Sequence, residues 1–156
     1  MNFKVLIIED DVQIQEFIFY ILKENNFDCI KSSTGEEAMS ILSNRSMDII
    51  LLDLGLPDTD GIELIKKIRE FSDLPIIIIS ARNEELEKVQ ALDLGADDYL
   101  VKPFSMNELL ARMRVVIRNK INTSPFDNVE VYEKGDLKVD VKNRVVLLKE
   151  EVIYFT

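Results

Sequence analysis

The sequence predicts an α/β fold in which a parallel β-sheet carries helices on both faces. Five short apolar runs rich in β-branched residues recur along the chain, and runs such as IIIIS do not alternate with polar residues. Strands of this composition are usually buried on both faces. Stretches with helical spacing separate the runs, so strand and helix alternate five times by about residue 121. This alternation is typical of a parallel sheet with crossover helices.

Each strand of the predicted sheet corresponds to one apolar run. The strands are expected at Phe3–Ile8, Asp28–Ser32, Asp48–Leu52, Pro75–Ser80 and Asp98–Val101. The first helix should span Val12–Asn25 and bury one stripe, made of Ile14, Phe17, Ile18, Ile21 and Leu22.

Capping signals mark several helix ends. Thr34 with Glu37, and Ser105 with Glu108, have the spacing of capping boxes, which begin helices. Gly95 should end the helix that follows the fourth strand, because glycine readily adopts the left-handed conformation of a C-terminal cap.

The composition changes after residue 121, which predicts three segments. Residues 1–121 form the α/β domain, and 122–133 form a polar linker that contains Pro125. Residues 134–156 form a short antiparallel β segment of two or three strands, with a turn at Lys142–Asn143.

The charge and residue usage exclude several classes of protein. The 156 residues carry a formal net charge of −10, which disfavours binding of this chain to nucleic acid or to anionic membranes. The single cysteine, Cys29, excludes an internal disulfide, and no signal peptide opens the chain, so we expect a cytoplasmic protein. The chain has no histidine, so a reaction that needs imidazole must take it from a partner.

Acidic residues gather at the predicted carboxyl ends of two strands. Glu9 and Asp10 follow the first strand, and Asp53 follows the third. In an open parallel sheet, ligands bind beyond these ends where the strand order reverses, so the three carboxylates can meet in one pocket. Such a cluster is costly unless a cation neutralises it, and Mg²⁺ prefers oxygen ligands.

The fourth and fifth strands add complementary groups at the same edge, a hydroxyl at Ser80 and an ammonium group at Lys102. A carboxylate can attack phosphorus, while Mg²⁺ and an ammonium group balance the charge of the transferred group. Taken singly, Ser80 and Lys102 would be ordinary structural or solvated residues, and Asp11 a helix cap. The joint occurrence, in this order, of Asp10, Asp53, Ser80 and Lys102 at four strand ends favours a phosphoryl-accepting site on Asp53.

Four motifs, IIEDD, LLDLGLPDTDG, PIIIISAR and GADDYLVKPF, resemble the receiver domain of two-component response regulators over residues 3 to about 119. The resemblance implies a flavodoxin-like (βα)5 domain with a five-stranded parallel sheet, phosphorylated on Asp53 by a sensor histidine kinase. It also implies that Glu9, Asp10, Asp53 and the main-chain carbonyl of Gly55 hold Mg²⁺. Ser80 and Lys102 would contact the phosphoryl group, Tyr99 would be the aromatic switch, and the bond before Pro103 would be cis.

The tail is similar to the start of the winged-helix domain in the OmpR/PhoB subfamily, and the loops resemble its KdpE group, which regulates potassium-uptake operons. The resemblance implies a transcription regulator of which this chain is a truncated form, so that only the full-length protein binds DNA. It also implies a homodimer through the fourth helix, fifth strand and fifth helix. The residues expected on that face are Lys88, Val89, Leu92, Asp97, Asp98, Glu108, Arg112 and Arg118.

Two other functions compete with this interpretation. A phosphotransfer enzyme of the haloacid-dehalogenase type also uses an aspartate after a strand, but it carries D-x-D, whereas Gly55 stands two residues after Asp53. A pseudo-receiver that works without phosphorylation is disfavoured because Asp10, Asp53 and Lys102 are all present. We therefore expect a phosphoacceptor that takes part in its own phosphorylation and is not a turnover enzyme.

Overall fold

The computed structural model describes residues 2–82 and 84–122, together with the backbone of four later strands. Two compact units are present, one up to Met106 and one from Asn107 onward. The strands of the first sheet are β1 (Lys4–Ile8), β2 (Asp28–Ser32), β3 (Ile49–Leu52), β4 (Ile76–Ser80) and β5 (Asp98–Val101). The helices are α1 (Val12–Glu24), α2 (Gly35–Asn44), α3 (Gly61–Arg69), α4 (Glu85–Asp93) and α5 (Met106–Asn122).

The five strands form one parallel sheet in the order β2-β1-β3-β4-β5. The predicted α/β fold with a five-stranded parallel sheet and five helices is therefore confirmed. The strand order reverses between β1 and β3, which are neighbours although β2 lies between them in sequence. Their carboxyl ends consequently emerge side by side.

Both faces of the sheet are buried, which explains why the strands do not alternate apolar and polar residues. In β1, Leu6 and Ile8 join a core shared with α2, α3 and α4, while Val5 and Ile7 point to the opposite face. All four side chains are at most 1% exposed. The carboxyl ends of the strands therefore extend from a layer of buried apolar side chains.

The buried face of helix α1 differs from the predicted apolar stripe. Its buried residues are Gln15, Ile18 and Leu22, and Phe17 is 54% exposed. The apolar residues of this helix cover more than one face, so periodicity alone did not decide which face packs inward. Gln15 takes an inward position because main-chain carbonyls satisfy its amide.

Two of the predicted helix ends are confirmed, and the capping box of Ser105 and Glu108 stays a prediction. Thr34 accepts a hydrogen bond from the Glu37 N–H at 3.1 Å, and the Glu37 carboxylate accepts from the Ser33 N–H at 2.9 Å. Gly95, at φ +114°, follows the end of α4, where the Ala96 N–H reaches back to the Ala91 carbonyl at 3.0 Å.

The second unit contains α5 and an antiparallel sheet in the order β6-β7-β8-β9. These strands are β6 (Val131–Lys134), β7 (Leu137–Asp140), β8 (Val145–Leu148) and β9 (Glu151–Ile153). The predicted linker, 122–133, was too long, since α5 includes Asn122 and β6 begins at Val131. Among the described residues, 134–156 contain β7, β8 and β9, in agreement with the two or three strands predicted there. The additional strand, β6, begins within the predicted linker, where Glu133 and Lys134 interrupt the apolar pattern. The predicted turn at Lys142–Asn143 lies outside the described residues.

Among the helices of the described ranges, none combines the length and apolar composition needed to cross a lipid bilayer.

Candidate phosphoryl-accepting site

The acidic pocket forms where β1 and β3 end together. Ile8 pairs with Leu52 in the sheet, and the Asp53 N–H donates to the Ile8 carbonyl at 2.9 Å. Glu9, Asp10 and Asp53 each offer a carboxylate oxygen, and these oxygens lie within 4.8 Å of one another. Glu9 and Asp53 are buried, and Asp10 is exposed. The structure thus brings the three predicted carboxylates into one cluster with an open side.

Lys102 supplies the opposing charge. Its Nζ lies 2.7 Å from Glu9 Oε1 and 3.8 Å from Asp53 Oδ2. The Lys102 N–H donates to the Ser80 carbonyl at 2.8 Å, which fixes the start of the loop after β5 beside the end of β4. The Lys102–Pro103 peptide bond is cis.

The donor set suits a hard divalent cation. Three carboxylates face one ammonium group, so two negative charges remain, and all the side-chain ligands are oxygens. Burial raises the pKa of Glu9 to about 7, against the opposing effect of its hydrogen bond to Lys102. The carboxylate cluster is thus costly by itself, and a bound cation would relieve that cost. The Gly55 N–H points towards Asp53 Oδ1 at 3.4 Å, while the use of the Gly55 carbonyl as a ligand stays a prediction.

Ser80 and Tyr99 both form hydrogen bonds with the main chain of Arg82. Ser80 is 1% exposed, and its Oγ accepts a hydrogen bond from the Arg82 N–H at 3.0 Å. The Tyr99 hydroxyl donates to the Arg82 carbonyl at 2.9 Å, and burial raises the pKa of Tyr99. The ring is therefore held inward, against the loop between β4 and α4.

The sequence pattern did not indicate a role for Gln15, which contacts the main chain next to the pocket. The buried Gln15 amide donates to the Glu9 carbonyl at 2.8 Å and to the Ser32 carbonyl at 3.1 Å. Gln15 therefore connects the carboxyl ends of β1 and β2 next to the carboxylate cluster. Gln15 lies three residues before Ile18 and seven before Leu22, so helical spacing places it on the stripe that is buried. This spacing was the sequence signal for its burial.

The residues predicted for a dimer face differ in exposure and contacts. In α4, Val89 is 47% and Leu92 is 44% exposed. The Asp97 carboxylate accepts from the Ile76 N–H at 2.8 Å and lies 3.3 Å from the guanidinium of Arg69.

Three further members of the predicted face already bond within their own segment, and a fourth is buried. Asp98 accepts from the Tyr99 N–H at 2.8 Å. In α5, Arg112 lies 3.3 Å from Glu108, and Arg118 is only 4% exposed.

Comparison with known proteins gives one family for most of this chain. Residues 5–114 match the family described as response regulator receiver domain. The chain is 41% identical over 152 residues to the KDP operon transcriptional regulatory protein KdpE of Escherichia coli (strain K12), covering 97% of this chain and 67% of that protein. It is 38% identical over 147 residues to the phosphate regulon transcriptional regulatory protein PhoB of Pseudomonas aeruginosa, covering 92% and 63%. The chain therefore spans about two thirds of the length of these relatives.

Solved structures show the same fold. The crystal structure of a two-component response regulator from Clostridium difficile has a TM-score of 0.74 and 32% sequence identity, and the match covers 76% of this chain and 98% of that one.

Proposed function

This chain belongs to the response regulator receiver family, and on that premise we propose that it is a phosphorylation-gated switch that accepts a phosphoryl group on Asp53 from a sensor histidine kinase. One observation carries the proposal. Asp53 directly follows β3 and lies in a cluster with Glu9 and Asp10, with its Oδ2 lying 3.8 Å from Lys102 Nζ.

The chemistry follows from these positions. A carboxylate oxygen of Asp53 forms a bond to phosphorus, while the bond from phosphorus to the donor breaks and its electron pair leaves with the donor. The chain contains no histidine, so a phosphohistidine donor must come from the kinase. Lys102 Nζ, 3.8 Å from Asp53 Oδ2, places a positive charge next to the transferred group. Mg²⁺ held by Glu9, Asp10 and Asp53 would supply further positive charge there.

Removing Asp10 should remove the response of the protein to Mg²⁺. Wild-type protein should melt at a higher temperature with Mg²⁺ than without it, because a ligand that binds the folded state stabilises that state. Asp10→Ala should lose this rise, since the carboxylate on the open side of the cluster is gone. Thermal melts with and without Mg²⁺ measure the effect. Asp93→Ala, which removes an exposed acid at the end of α4, should keep the full rise. An undiminished rise in Asp10→Ala would take Asp10 out of the site.

The switch would work through Ser80 and Tyr99. A phosphoryl group on Asp53 adds charge and acceptor oxygens at the edge of the sheet. The Ser80 hydroxyl would turn to those oxygens. The buried Tyr99 ring would then stabilise the conformation of the loop after β4 in which Ser80 faces the phosphoryl group. A change at the strand ends would thereby bias α4 and β5 between two packing arrangements.

The output that we propose is a homodimer through α4, β5 and α5. The exposed Val89 and Leu92 on α4 offer apolar area. Asp98, Glu108 and Arg112 supply charges of both signs for a self-complementary two-fold contact, whereas Arg118 is buried and Asp97 is bonded within the monomer. The assignment rests on the family resemblance for α5, where Glu108 and Arg112 already bond to each other.

Beryllofluoride, as a stand-in for the phosphoryl group, should shift the chain from monomer towards dimer. Arg112→Glu should weaken that dimer, because it places a like charge near Glu108 and its counterparts on the mate. Sedimentation velocity with and without beryllofluoride measures the shift. Arg45→Glu, which inverts an exposed arginine after α2, serves as the matched control. An unchanged mass with beryllofluoride, or a dimer of normal strength in Arg112→Glu, would count against this face.

We further propose that the whole protein regulates transcription of potassium-uptake genes, with DNA binding provided beyond the receiver. The support is the similarity to KdpE and PhoB, which are named as transcriptional regulatory proteins of the KDP operon and of the phosphate regulon. The potassium assignment rests on the resemblance of the loops to the KdpE group. The test is to delete the gene and measure whether potassium-uptake transcripts still respond to external potassium. An unaltered response would remove the potassium assignment and leave the receiver function standing.

A further inference from the structure

The main chain of Arg82 contacts both residues of the proposed switch. Its N–H donates to Ser80 Oγ at 3.0 Å, and its carbonyl accepts from the Tyr99 hydroxyl at 2.9 Å. Arg82 stands two residues after Ser80, in the loop between β4 and α4. The position of the Arg82 main chain therefore determines whether Tyr99 has a hydrogen-bond acceptor in its inward orientation.

The Arg82 side chain bridges two elements on either side of that loop. Its Nη1 lies 3.0 Å from Oε2 of Glu87 in α4 and 3.7 Å from Oδ2 of Asp60. Asp60 is itself fixed, because its Oδ1 caps α3 by accepting from the Ile62 N–H at 2.9 Å. The guanidinium thus connects the segment that leads away from Asp53 to the first turn of α4.

The Glu87 carboxylate depends on this contact. Its Oε1 is buried and has no hydrogen-bond partner among the described residues, so Arg82 is the cation that balances its charge there. A partly buried carboxylate that loses its cation should move towards water, and it should carry the start of α4 with it. Exposed ion pairs stabilise weakly one by one, but here a single side chain holds two elements in fixed relation.

We propose that Arg82 is a positioning residue that couples the phosphoryl-accepting edge to α4, by holding its own carbonyl where the Tyr99 hydroxyl can reach it. The inference rests on the proposed phosphorylation of Asp53 and adds the residue through which the signal leaves the site. This positioning role does not require Arg82 to contact the phosphoryl group.

The test compares Arg82→Ala, Arg82→Lys and the control Arg45→Ala in the full chain. The first measurement is phosphoryl uptake from acetyl phosphate by intact mass, and all three variants should gain one group as wild type does. The second is dimerisation with beryllofluoride, where Arg82→Ala should need at least about threefold more protein to reach half dimer. Arg82→Lys should lie between Arg82→Ala and wild type, because one ammonium group can serve one of the two carboxylates.

A spectroscopic measurement separates positioning from a general loss of stability. The chain has four tyrosines, and Tyr99→Phe identifies the ring signals of Tyr99 in an NMR spectrum of tyrosine-labelled protein. The Tyr99 signals should shift or broaden in Arg82→Ala, partly return in Arg82→Lys, and stay as in wild type in Arg45→Ala. This comparison can be made without any phosphoryl donor.

The outcomes distinguish the two proposals. Wild-type Tyr99 signals together with wild-type dimerisation in Arg82→Ala would overturn the coupling role of Arg82. Should Arg82→Ala fail to fold, wild-type Tyr99 signals and wild-type dimerisation in Arg82→Lys would overturn it equally. Absence of phosphoryl uptake by wild-type protein would instead reject the proposed function, and the Tyr99 signals of the unphosphorylated variants would still decide on Arg82.

Discussion

Asp53→Asn should gain no phosphoryl group from acetyl phosphate and Mg²⁺, whereas the wild-type chain should gain one. The amide that replaces the carboxylate cannot attack phosphorus as an anion, although it keeps nearly the same shape. It can also keep the contact with the Gly55 N–H that Asp53 Oδ1 makes at 3.4 Å, so the fold should persist. Intact mass measured at intervals after mixing reports the uptake directly.

The matched control for this prediction is Asp58→Asn. Asp58 lies five residues further along, and its carboxylate accepts hydrogen bonds from the Gly35 and Glu36 N–H groups at 2.8 and 3.0 Å. Asparagine can accept only one of these two bonds, because they reach different carboxylate oxygens, but Asp58 is not a member of the cluster of Glu9, Asp10 and Asp53. This variant should therefore gain the phosphoryl group as wild type does. Equal uptake by Asp53→Asn and wild type would place the acceptor elsewhere. No uptake by wild type would favour a receiver that acts without phosphorylation.

Gly61→Ala should lower the free energy of unfolding by about 1–3 kcal/mol, towards the upper end of the range for overpacked positions. A Cβ at this position would lie 2.5 Å from Leu54 Cα, 2.7 Å from Leu54 Cδ2 and 3.1 Å from the Leu54 carbonyl oxygen. Two of these atoms belong to the main chain of a fully buried residue directly after Asp53, and they cannot move aside as a flexible side chain could. A loss of this size is a large share of the stability of an ordinary domain.

Gly55→Ala is the control for Gly61→Ala, because a Cβ at Gly55 would have no heavy atom within 4 Å. Its free energy of unfolding should stay within about 0.5 kcal/mol of wild type, as for most exposed positions. Urea denaturation followed by circular dichroism gives both values. Equal midpoints for Gly61→Ala and wild type would mean that Leu54 yields more easily than its burial indicates.

The fold could be predicted from the sequence because strand burial and helix spacing agree in five successive units. The boundaries of β2 and β5 match the prediction, and the other three strands begin one residue later than predicted. The inward face of α1 was predicted less well, since Gln15 is buried and Phe17 is exposed. A pattern of apolar residues cannot show that strand-end carbonyls will satisfy an amide on the packing face.

Much of the candidate site also follows from general rules. Ligands lie at the carboxyl ends of parallel strands, so Glu9, Asp53 and Lys102 could be expected near one another before any distance was known. The bridge from Arg82 to Asp60 and Glu87 could not be expected. It depends on side-chain rotamers and on how two loops approach each other, and neither leaves a periodic trace in the sequence.

The bonding of Asp97 affects how genetic results on this protein should be interpreted. Its carboxylate is already shared between the Ile76 main chain and Arg69, which itself donates to the Gly95 carbonyl at 2.7 Å. A screen for assembly-defective alleles would therefore recover Asp97 substitutions that disturb the monomer at the start of β4 and β5. Such substitutions would resemble interface defects although they act on the folding of the monomer. Suppressor substitutions should therefore occur at Arg69 and not on the predicted dimer face.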